Sequence, residues 1–186
     1  MKPTVFLAGI ALLAGCGADP VPTESAAGTA AQSAASLDGT LTAANRQDIA
    51  ALRAATAQFH RIAVADGAGY NVQFPAGCME SPAGGMGFHY INGDNVGSLD
   101  PVRPQLVIYE PEQNGTLRLV AVEFIYPGAE TDPAPVLFGQ PFTWNETFQV
   151  WALHVWAWKN NPTGLFKDWN PDVSCQYAPS MSTMAH

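Results

Sequence analysis

Between residues 43 and 65 the positions Ile49, Leu52, Thr56, Phe59 and Ala63 recur at intervals of three and four, while Arg46, Gln47 and Asp48 are polar. That period is the mark of a helix with one buried stripe. It predicts a single long helix over Ala43–Ala65, ended by Gly67 and Gly69. At about 100° per residue His60 lies only about 20° from Ile49 around the axis, at the margin of the stripe. Beyond residue 69 the period falls to two. Gly87–Ile91, Gln105–Tyr109, Leu117–Tyr126 and Phe148–Trp158 are rich in β-branched and aromatic residues and bounded by Asn, Gly and Pro, so four or more strands are expected. Glu110–Gly115 reads as a hairpin connection, with Asn114-Gly115 suited to positive φ, which makes the flanking strands antiparallel. The fold expected is α+β: one long N-terminal helix packed on a curved, mainly antiparallel sheet of four or more strands.

Composition narrows the class without naming a reaction. A chain of 186 residues, 47% hydrophobic and 13% charged, suits one globular domain with extensions and excludes a collagen, a coiled coil and a fully disordered protein. Eight Lys and Arg against 16 Asp and Glu give a formal charge of −8, so there is no basic footprint and nucleic acid is not expected as a partner.

The first 15 residues run from Lys2 through the apolar stretch Val5–Leu13 to Ala14-Gly15, the layout of a signal peptide too short to span a bilayer. Leu13-Ala14-Gly15-Cys16 resembles the lipobox of bacterial lipoproteins, which implies cleavage before Cys16 and lipid on its thiol. The plainer alternative is a secretory peptide cut at another small residue, leaving a free exported protein. Gly17 after the cysteine favours an outer-membrane destination, so the expected address is exported and membrane-anchored. Residues 16–44 are Ala, Ser, Thr, Gly and Pro with few large apolar side chains and read as a tether. Residues 45–177 form the expected domain and 178–186 a loose tail.

With Cys16 lipidated, Cys78 and Cys175 remain in an oxidising compartment and are expected to pair. Two buried free thiols are the alternative.

Three of the four histidines fall inside the best-patterned segments: His60 in the helix, His89 in the first strand and His154 in the last. Glu123 joins them from the strand Leu117–Tyr126, where alternation places it on a face with Leu117, Leu119, Ala121 and Ile125. Imidazoles and a carboxylate in apolar framework need partners, and together they suit one divalent transition metal such as zinc, copper, nickel or iron. The competing reading is a buried hydrogen-bonded network without metal. All five tryptophans lie between 144 and 169. By parity Trp156 and Trp158 share the face of His154 while Trp151 faces away, and Trp151, Trp156 and Trp158 could instead present a platform for a sugar, peptide or apolar ligand.

Other signals lack their context. Gly84-Gly85-Met86-Gly87 precedes a strand rather than opening a helix, no Gly-x-Ser-x-Gly elbow is present, and Asn92–Gly97 has Val96 where a calcium loop wants a donor.

Met86-Gly87-Phe88-His89-Tyr90, Leu106-Val107-Ile108-Tyr109-Glu110-Pro111, Leu153-His154-Val155-Trp156, Lys159-Asn160-Asn161-Pro162 and Trp169-Asn170-Pro171 together resemble a family of uncharacterised exported bacterial proteins. The resemblance covers most of residues 45–175. It implies the same domain limits and the Cys78–Cys175 pairing, and it implies no chemistry. The function expected is therefore a lipid-anchored extracytoplasmic binding protein with a His60/His89/Glu123/His154 metal site, and a metal-dependent enzyme ranks below both binding readings.

Overall fold

The computed structural model describes residues 41–179. The predicted signal peptide, Cys16, the tether as far as residue 40 and the tail from residue 180 lie outside the described residues. Leu41 is already buried in the core, so the folded unit begins ahead of the first helix. Thr42 caps that helix, α1 (Ala43–Thr56): its hydroxyl accepts the Asn45 amide at 3.1 Å, satisfying an otherwise orphaned donor. Ile49, Leu52 and Thr56 are its buried stripe, as the spacing predicts.

The single long helix does not form, which corrects the expected fold. After Thr56 the chain tightens into a 3₁₀ turn (Ala57–His60), opens at Arg61 with φ −99° and ψ 106°, and resumes as the short α2 (Ile62–Gly67). Tertiary bonds draw the chain out of the α pattern. Trp158 Nε1 donates to Thr56 Oγ1 at 3.1 Å, and the Tyr109 hydroxyl donates to the Phe59 carbonyl at 2.7 Å. The break also resets the phase, so Ala65 is buried and Ala63 is exposed.

The sheet likewise departs from the expected curved layer over which one helix lies: it is open, with two edges. Its strands are β1 (Val72–Ser81), β2 (Gly84–Ile91), β3 (Leu106–Pro111), β4 (Leu117–Tyr126), β7 (Thr143–Asn145) and β8 (Val150–Val155), in the order β1-β2-β3-β4-β8-β7. Every neighbouring pair is antiparallel. A separate hairpin is made by β5 (Val136–Leu137) and β6 (Gln140–Pro141). The Gly84–Gly87 run belongs to β2 itself, and the last strand stops at Val155 rather than Trp158. Strand β1 has no counterpart in the expected set, because its ladder is interrupted between Gln73 and Cys78, around Pro75.

One bulge decides which residues face which side. Pairing passes from Ile108 opposite Ala121 to Tyr109 opposite Leu119, leaving Val120 as an extra residue. Its carbonyl accepts the amides of Trp158 and Lys159 at 3.1 and 3.0 Å. Leu119 therefore joins Val122 and Phe124 in the core beneath α1, with Val107, Tyr109, Leu52 and Phe59. Val120 and Ala121 turn to the opposite face, with Ile108, Trp156 and Val173. The alternation that placed Leu119 beside Glu123 fails at this residue.

The face away from the helices is covered by the segment after β8. Trp156 N–H bonds the Leu165 carbonyl at 2.9 Å, and Asn170 exchanges backbone bonds with Gly85 of β2 at 3.1 Å. Asn161 and Asn170 are buried and brace the loop by donating to the carbonyls of Trp169 and Asn160. Cys175 is bonded to Cys78 of β1, with Cα atoms 5.8 Å apart, so the predicted disulfide closes the cover onto the sheet edge.

Candidate metal centre

His89, Glu123 and His154 meet on this covered face. Glu123 on β4 stands directly opposite His154 on β8, and His89 on β2 reaches across β3 from its place opposite Ile108. One ligand atom from each lies within 4.8 Å of the others, and His89 Nε2 is 3.7 Å from Glu123 Oε2. A tetrahedral ion with bonds of about 2.0–2.1 Å holds its ligand atoms about 3.4 Å apart, so side-chain rotations of roughly an ångström close the set.

The electrostatics suit a site that wants a cation. Desolvation lowers His89 to about 4, against a smaller opposing effect of its bond to the Gly87 carbonyl. Its Nδ1 lies 3.2 Å from that oxygen. A neutral ring donating from Nδ1 leaves the Nε2 lone pair facing Glu123, the arrangement in which a metal-binding histidine is oriented by a carbonyl. His154 is 1% exposed, and burial, then the nearby His89, push it well below its ordinary range. Neither of its ring nitrogens has a hydrogen-bond partner. The ring leans on Trp156, centroids 4.7 Å apart. Leaving such a group bare costs about 1–3 kcal/mol for each unsatisfied atom, and an ion would relieve the cost at the ring nitrogen that carries the lone pair. Burial, with the Asp168 charge as a smaller cause, raises Glu123 to about 8.

His60 does not join them. It is exposed, on the 3₁₀ turn, with its ring edge-on to Trp158 at 4.5 Å on the helical side of the sheet. The break at Arg61 and the sheet between them keep it apart from the other three.

A cleft of about 520 Å³ opens beside the cluster, with His89 and Glu123 in its floor. Phe74, in the bulged part of β1, meets Phe148 of the β7–β8 turn at 4.7 Å and forms one wall. Trp144, Trp169, Met79 and Met86 form others, and Asp168 sits at the rim, its carboxyl raised by burial. Compared with known protein families, curated proteins and solved structures, the chain matches none. The chemistry of the site rests on its own donors.

The tryptophans proposed as a platform are placed elsewhere. Trp151 and Leu153 are in the core beneath α1, and Trp151 Nε1 donates to the Ala129 carbonyl at 3.2 Å. Trp156 is buried on the cluster face, and Trp158 turns to the helical side because β8 has ended and parity no longer holds. Sequence reasoning missed Trp144, Trp169 and Asp168 as cleft residues. The signal for Asp168 was a lone acid set between Phe166 and Trp169.

Proposed function

We propose that this is an exported, lipid-anchored protein that binds one transition-metal ion through His89, Glu123 and His154. The observation that carries the reading is His154, buried with both ring nitrogens unpartnered beside a second imidazole and a carboxylate. Three protein ligands rather than four leave coordination positions open towards the cleft, as in sites where a metal meets a small molecule. Export is supported by the Cys78–Cys175 bond, which suits an oxidising compartment, and anchoring rests on Leu13-Ala14-Gly15-Cys16.

Elemental analysis of protein purified without a chelating tag tests the metal. One equivalent is expected in the wild type and in His60→Ala, and none in His154→Ala. Metal-free wild-type protein that also fails to take up zinc or copper on titration would overturn the reading. A second reading, an apolar ligand held without metal, is favoured by the aromatic lining of the cleft and moves the contacts from Trp151, Trp156 and Trp158 to Trp144 and Trp169. It predicts ligand binding that survives His154→Ala.

A further inference from the structure

Two methionines occur among the described residues, Met79 and Met86, and both line the cleft that ends on His89 and Glu123. Plain alternation along β2 would put residues 86 and 89 on opposite faces. They share one because the β1–β2 register shifts there, Met79 facing Gly87 and Glu80 facing Gly85 with Met86 as the extra residue, beside Gly87, whose φ of +107° brings it so close to the Tyr109 carbonyl that a Cβ would collide. Met79 is paired with Gly87 across the β1–β2 ladder, so the two thioethers approach the cleft from adjacent strands beside the phase change. Both side chains are partly buried, and each is unbranched, with two rotatable bonds that place the sulfur and a third that turns its lone pairs towards an ion.

Thioether sulfur is a soft donor. It adds little for zinc and selects Cu(I), whereas imidazole serves either metal. Resting on the metal reading above, we propose that the centre is a copper site, in which Cu(I) keeps His89 and His154 and takes thioether sulfur from Met79 and Met86 in place of the hard Glu123 carboxylate, which serves a divalent ion. The two methionines are then ligands that set metal choice rather than packing at the wall of a cleft.

The test uses the full-length metal-free protein and its Met79→Leu, Met86→Leu and double variants, leucine being close in volume so that the fold is retained. Cu(I) affinity is measured anaerobically with ascorbate against a chromophoric Cu(I) chelator, and Zn(II) affinity against a chromophoric zinc chelator. Each single variant should lose at least about tenfold in Cu(I) affinity, with Zn(II) affinity unchanged. X-ray absorption of the Cu(I)-loaded wild type should show a sulfur shell that the double variant lacks. Equal Cu(I) affinity in all four proteins, or a sulfur-free copper shell, overturns the copper proposal while leaving the metal site standing. Failure of the wild type to bind either ion overturns the metal reading itself.

Discussion

Replacing Glu123 by Gln should stabilise the metal-free protein at neutral pH. Desolvation raises the Glu123 carboxyl from 4.5 to about 8. The folded protein therefore keeps a proton that the unfolded chain releases between those values. A raised folded-state value means that the stability is fully present below 4.5 and lost as pH rises through 8, at 1.36 kcal/mol per pH unit in between. At pH 7 the loss relative to acid conditions is about 3 kcal/mol. Glutamine has the shape of the neutral acid and no proton to release, so the variant lacks this slope. His89 works in the opposite sense: lowered from 6.5 to about 4, its contribution is full above 6.5 and lost as pH falls through 4. That effect is common to both proteins and cancels in their difference. Urea denaturation in chelator between pH 5 and 7.5 should show the two proteins similar in stability at the acid end and separated at pH 7 by about 1–3 M in midpoint, for slopes of about 1–3 kcal/mol/M. Saturating Zn(II) should reverse the order, since it binds the deprotonated carboxylate and stabilises the wild type by mass action. A pH-independent difference, or a variant less stable at pH 7 in chelator, would refute the reasoning, because Glu123 would then be held ionised by a partner.

Breaking the disulfide by Cys78→Ser with Cys175→Ser should cost about 4–5 kcal/mol by the chain-entropy argument for residues 97 apart, measured by urea denaturation; an unlinked pair in non-reducing peptide maps of exported protein would contradict the bond. Gly87→Ala should destabilise the fold by about 1–3 kcal/mol through its positive φ alone, and more through the collision with the Tyr109 carbonyl, and should cut metal uptake because His89 lies two residues on; wild-type stability would contradict the phase change described for β2. Cys16→Ser should release the protein from the membrane fraction or leave its signal uncleaved, read by fractionation and N-terminal mass, and unchanged partition with normal processing would refute the anchor.

The strands β2, β3, β4 and β8 were legible because each carries its own run of β-branched and aromatic residues, and the hairpin between β3 and β4 because Asn114-Gly115 is a local signal. The cysteine pairing was expected from the count together with the export signal read in the first 16 residues. His89, Glu123 and His154 were recognisable as polar groups costly to place in apolar framework, a judgement that needs only the neighbouring residues. Their meeting at one place was expected from that shared cost and the structure has it, but the separation of His60 was not legible. Periodicity assumes an unbroken phase, and the phase here is reset at Arg61, Val120 and Gly87 by partners remote in the chain. Tyr109 takes the Phe59 carbonyl, the Val120 carbonyl receives Trp158 and Lys159, and Gly87 fits against Tyr109. Each reset puts the residues on its two sides out of step, leaving Leu119 on the helical face and Met86 in the cleft, and the end of β8 at Val155 frees Trp158 to turn towards the helices. The helix, the open sheet and the cover closed by Cys175 were therefore decided by contacts that form only once the strands have paired, which no window of local sequence contains.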